Sequence, residues 1–221
     1  MVSAVTHAGY AFFLLKAYDA GDLSVAYPLS RTAPMLVALW DVVMTRGHLT
    51  VLGFVGTMLS GLGALTLQFP ALRDRGGRAV LGDHVTRYAL TTAVFIAAFT
   101  ITDKQGVTHV PPFVYLYLIL FGEFSLVAVR LGRQALPRVR RELRINTYSL
   151  LLTGILAPFS YLLILWVLTT APASYVLGLR QSSIVFGVLL GYLYLGEGEA
   201  RYRLTGAAII TTGSVLIAAA G

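Results

Sequence analysis

Apolar residues in this chain fall in long continuous stretches and do not alternate with polar ones. Eight such runs lie near 1–17, 22–44, 50–69, 85–104, 110–130, 147–170, 173–195 and 203–220. A hydrocarbon core of ~30 Å needs about 20 apolar residues in a helix, and most of the runs reach that length. A membrane β-barrel would show alternation instead. The pattern predicts an all-α polytopic membrane protein of about eight transmembrane helices. The links are short, which leaves no room for a separate soluble domain. The first run is the exception in length, with about 15 residues before Lys16.

The pattern also repeats. Residues 7–69 and 157–220 follow one plan at an offset of about 150 residues. Tyr10 corresponds to Tyr161, Ser24 to Ser174 and Arg31 to Arg180. Each copy closes on a glycine-punctuated apolar run, LGFVGTMLSGLGALTL in one and LTGAAIITTGSVLIAAAG in the other. Equivalent helices are five spans apart, an odd number, so they cross the membrane in opposite directions. That is an inverted repeat, whose substrate site belongs near the midplane between the halves. The organisation expected is a first repeat of three helices at 1–69, a basic link at 70–84 and a second repeat of five helices at 85–221. A symmetric molecule would need two more helices before Met1.

Charge placement sets an orientation. Of 17 lysines and arginines, thirteen fall on one side by alternation, and only Arg46 and Lys104 on the other. Cytoplasmic loops carry such an excess, so 70–84, 131–146 and 196–202 are expected inside the cell, at its inner (plasma) membrane. The net charge of +7 therefore reads as a topology signal with attraction for anionic lipid headgroups, and no nucleic-acid partner is expected. Cysteine is absent, which removes disulfides and thiolate metal sites. There is no G-x-x-x-x-G-K-[ST], HExxH or GxSxG motif, so no enzyme, metal or cofactor is expected.

The remaining two cations lie inside the runs. Arg31 is about nine residues into its span, ~13 Å deep at the rise of a helix, and Pro28 and Pro34 flank it. Proline removes a helical hydrogen bond, so the helix should bend or break there. Irregular backbone at depth occurs where it is buried in protein or lines a wet cavity. The alternative is an arginine that snorkels to the surface or pairs with a buried acid. Arg180, beside Gln181, is its inverted counterpart. Two guanidinium groups at one cavity suit a carboxylate or phosphate, hence an anionic or zwitterionic metabolite. Glu123 is the internal acid, either coupling a proton or serving as a fixed counter-ion; Asp41 is another, nearer its helix end. Tyr10, Tyr27, Tyr161 and Tyr175 offer an apolar face with one hydroxyl, for substrate or equally for packing. His7 reads as packing or, less readily, a proton relay. Asp103 and Lys104 read as a self-neutralising pair. Gly187 and Gly191 read as a close-approach face.

Several stretches resemble the EamA branch of the drug/metabolite transporter superfamily: AYDAGDLSVAYPLSRTAPMLVAL at 17–39, ITDKQGVTHVPPFVYL at 101–116, and above all APASYVLGLRQSSIVFGVLLGYLYLGEGEARYRLTGAAIITTGSVLIA at 171–218. The resemblance implies helices three to ten of a ten-helix, two-repeat plan, here in an incomplete 3+5 form. It also implies a secondary transporter, an exporter of small metabolites. The missing helix pair favours a second reading, a truncated non-transporting relative or a membrane partner subunit. Beyond the lipid bilayer and the metabolite, a homodimer or companion helices are the partners left open.

Overall fold

The structure, a computed structural model, describes residues 2–20, 29–44, 49–67, 69, 83–132, 135–195 and 200–220. The chain is helical, with α1 Val2–Ala20, α2 Ala33–Met44, α3 Val51–Thr66, α4 His84–Gly106 and α5 Pro112–Leu131 in its first part. Then come α6 Ala135–Ile145, α7 Thr147–Thr170, α8 Ala173–Arg180, α9 Ser182–Leu195 and α10 Ala200–Ala220. Each of the eight apolar runs carries helix among the described residues. Among the described residues, four helices are long and apolar enough to cross a bilayer: α4 with 23 residues, α5 with 20, α7 with 24 and the 19 residues Tyr202–Ala220 of α10. Helices α2 and α3 are shorter apolar helices.

Local chemistry sets the ends. Thr50 caps α3, its hydroxyl accepting from the Gly53 amide at 3.1 Å. Pro112 opens α5 at the first helical position, where a missing N–H costs least. Gly132, at φ 52°, closes α5 in a left-handed conformation. The basic link expected at 131–146 is itself helical over Ala135–Ile145. On α6, Leu136, Val139 and Leu143 recur at helical spacing, with Arg140, Arg141 and Arg144 between them. That pattern is the one expected of an interfacial helix with a basic side.

The closest helix pairing joins α3 to α10, the glycine-punctuated helices of the two copies. A methyl group built on Gly56 would lie 2.7 Å from the carbonyl oxygen of Gly213, and one on Gly213 would lie 2.6 Å from that of Gly56. Gly63 and Gly206 face each other likewise, at 2.8 and 2.7 Å. The backbones meet there because no side chain intervenes. Gly187 is different: a methyl added to it meets nothing within 4 Å, so it packs against nothing close.

Helix α1 lies along α4, with Ala17 and Ala89 fully buried between them. A second core gathers Val37 of α2, Ala93 and Ala97 of α4, Leu116 of α5, Leu165 and Leu168 of α7 and Val176 and Leu177 of α8. Outward faces stay apolar: Phe113, Phe121 and Phe124 on α5, and Ile155, Phe159 and Trp166 on α7 are exposed. Such surfaces are normal where the surrounding solvent is lipid.

Candidate functional site

Among the described residues, two turns interrupt helical backbone, and the turns match. At the first, Leu29 and Ser30 are helical, Arg31 and Thr32 form a turn, and α2 follows. The Thr32 amide donates to Leu29 O at 3.3 Å and the Met35 amide to Thr32 O at 3.0 Å. At the second, Gln181 separates α8 from α9. Its amide donates to Gly178 O at 3.2 Å, and the Ile184 amide donates to Gln181 O at 2.9 Å. The same two bonds recur at corresponding positions of the two copies.

Proline explains only the first break. Pro34 lacks the N–H that a continuous helix would direct at Ser30; Pro28 lies outside the described residues. The second break has no proline. Ser182 and Ser183 instead turn their hydroxyls back onto Leu179 O at 2.6 Å and Arg180 O at 2.8 Å. Thr32 does the same to Leu29 O at 2.8 Å. Hydroxyl groups that satisfy backbone carbonyls in this way loosen a helical turn.

Both arginines stand at these breaks, and both line one cavity of about 310 Å³. Helix α1 contributes His7, Tyr10, Leu14 and Tyr18, and α5 contributes Leu116, Ile119, Leu120 and Glu123. Phe99 of α4, Pro158 and Tyr161 of α7, and Gln181 complete its polar and aromatic lining. Gln181 joins the two breaks directly: its side-chain amide donates to Arg31 O at 2.7 Å. Arg180 lies within electrostatic reach of Arg31, Tyr10 and Tyr161.

Of the eight residues expected from sequence at a substrate or coupling site, six line the same cavity: Arg31, Arg180, Tyr10, Tyr161, Gln181 and Glu123. Tyr27 lies outside the described residues. Tyr175 is elsewhere: its hydroxyl meets the Thr50 amide at 3.1 Å and the Thr50 hydroxyl at 3.0 Å. Its ring rests on Gly53, where a side chain would collide with it.

Three charged residues have partners that sequence did not suggest. Asp103 and Lys104 do not pair with each other, because neighbours on a helix point in different directions. Lys104 turns to the end of α7, donating to Leu168 O at 2.8 Å and Ala171 O at 3.0 Å. Asp41 accepts the Ser174 amide at 2.9 Å and so caps the start of α8, where N–H groups lack helical partners. Asp103, fully buried, turns inward to three hydroxyl donors and the His7 ring. Ser3 and Tyr115 approach one oxygen at 2.5 and 3.1 Å. Tyr161 and His7 Nε2 approach the other, His7 at 3.1 Å. His7 also meets Glu123 through Nδ1 at 3.2 Å. The signal for His7 was present in the sequence: Ser3, His7, Tyr10, Leu14 and Tyr18 lie three or four residues apart, on one face of a helix.

Matched turns beside a polar cavity, inside a bundle with apolar outer faces, fit a plan shared by many membrane transporters. The EamA-like transporter family matches residues 87–219, and the chain belongs to it. A chain known from a crystal structure has a similar fold, with a TM-score of 0.69 at 15% identity. The likeness covers 98% of this chain and 75% of that one. No curated protein matches the chain.

Proposed function

We propose that this chain is a secondary transporter that exports a small anionic or zwitterionic metabolite by alternating access. The observation that carries the reading is the convergence of Arg31 and Arg180, from the two copies, on one cavity of about 310 Å³. A cavity of that volume falls in the range of small-molecule sites. Paired guanidinium groups would hold its carboxylate or phosphate. Tyr10 and Tyr161 would cover its apolar part, and Glu123 would meet an ammonium group where the solute has one.

The matched breaks supply the moving parts. Exchanging the conformations of two inverted halves would open the cavity to one side and then to the other, with the site fixed between them. Under this reading the basic segments 70–84, 131–146 and 196–202 face the cytoplasm, and the inner membrane is the location. Residues 70–82, 133–134 and 196–199 lie outside the described residues, and the side of all three segments rests on charge alone.

Counterflow in proteoliposomes, with radiolabelled amino acids and short dicarboxylates as probes, tests the site. Losing a charge-assisted hydrogen bond costs about 1.5–3 kcal/mol. Arg31→Ala and Arg180→Ala should therefore each slow counterflow about tenfold or more, with unchanged abundance in the membrane. Wild-type rates in both variants would sink the assignment.

A further inference from the structure

The cluster around His7 is larger than a substrate contact requires. Both ring nitrogens face carboxylates: Nε2 is 3.1 Å from Asp103 Oδ2 and Nδ1 is 3.2 Å from Glu123 Oε1. A neutral imidazole has one N–H and one lone pair. Both contacts are hydrogen bonds only if the ring carries two protons or if one carboxyl carries one. Nε2 also lies 3.2 Å from the Tyr161 hydroxyl, so a neutral ring has a second place for its lone pair, and it is the doubly protonated ring that bonds both carboxylates at once.

The two carboxylates are not equivalent. Asp103 has no exposed side-chain surface, whereas that of Glu123 is 34% exposed. Asp103 retains Ser3, Tyr115 and Tyr161 as donors when His7 withdraws. The Glu123 carboxylate has His7 on one side and the cavity on the other. Around them stand Tyr10 from α1, Tyr115 from α5, Tyr161 from α7, Arg31 before α2 and Arg180 from α8. Lys104 of α4 is turned away to the α7 carbonyls.

We propose that Glu123, His7 and Asp103 form a proton-binding site whose occupancy sets the charge of the cavity. With the proton bound, Glu123 rests on His7. Loss of that proton from Nδ1 to water leaves a lone pair facing the carboxylate, and Glu123 swings into the cavity toward the two arginines. Asp103 stays in place, held by three hydroxyl groups. Transport of an anion past Arg31 and Arg180 is thereby linked to proton binding, a step that rests on the transport reading above.

The test is nuclear magnetic resonance of protein labelled with ¹⁵N-histidine in lipid nanodiscs, titrated from about pH 5 to about pH 9, the range in which histidine changes charge. His7→Gln assigns the His7 signals. If that variant fails to fold, single substitutions of His48, His84 and His109 assign them by elimination. One His7 ring nitrogen should lose its proton in a single step. Glu123→Gln removes a charge within about 4 Å and should move the midpoint by about one pH unit or more, leaving His109 unmoved. A His7 ring of constant protonation across the range would overturn the proposal. So would a midpoint unchanged by Glu123→Gln. The probe counterflow described above is measured separately. Its absence in the wild type would overturn the transport reading, while the His7 titration would still decide the proton site.

Discussion

At the scale of single residues, burial turned weak sequence signals into specific roles. Asp41 was one acidic residue among several, yet it holds the start of the buried half-helix α8 through the Ser174 amide. Removing the acceptor leaves a buried N–H without its partner, at a cost of about 1–3 kcal/mol. Asp41→Ala should therefore lower the thermal stability of the detergent-solubilised protein, and Asp41→Asn, which keeps an acceptor, should lower it less. Equal melting of wild type and Asp41→Ala would show that the cap contributes nothing. Arg31 was legible because a charge deep in an apolar run costs roughly 2.5–3.5 kcal/mol. His7 was less legible, since its meaning depends on Asp103 and Glu123, 96 and 116 residues away in sequence.

At the scale of helices, small residues decide which pairs meet. The α3–α10 contact rests on Gly56, Gly63, Gly206 and Gly213, where added side chains would strike backbone. Backbone cannot step aside as a flexible side chain can, and overpacking of this kind costs about 1–3 kcal/mol. Gly213→Leu should destabilise the protein in a thermal melt. Gly154→Ala should not, because a methyl group there meets nothing within 4 Å. Similar melting of the two variants would refute the close-approach argument. Helix α6 belongs to a different class. Its Leu136, Val139 and Leu143 are exposed and its arginines fit a headgroup layer, so it should lie along the membrane surface.

At the scale of the whole molecule, orientation and symmetry are the central features. A cysteine introduced at Val139 of α6 should resist an impermeant thiol reagent in intact cells and react after permeabilisation. The chain has no native cysteine to confuse the result. Rapid labelling of intact cells would reverse the proposed topology. The broken helices give the repeat a physical meaning that sequence likeness lacked. Equivalent positions, Thr32 and Gln181, carry the same pair of backbone hydrogen bonds, although one break has a proline and the other uses serine hydroxyls. Sequence indicated the first break through Pro28 and Pro34. It did not indicate the second, because Ser182 and Ser183 are also compatible with an unbroken helix.

By itself the sequence determined the class of solvent and the all-helical fold, and it set the expectation that Arg31 and Arg180 are counterparts. These follow from the length and period of apolar runs and from the cost of charge in hydrocarbon, which are local properties. Only the tertiary structure decided which polar groups share a space. It took Tyr175 from the cavity to Thr50, separated Asp103 from Lys104, and brought Ser3, His7, Asp103, Tyr115, Glu123 and Tyr161 together. Contacts of that kind depend on how four helices cross, and no spacing within one helix encodes a crossing.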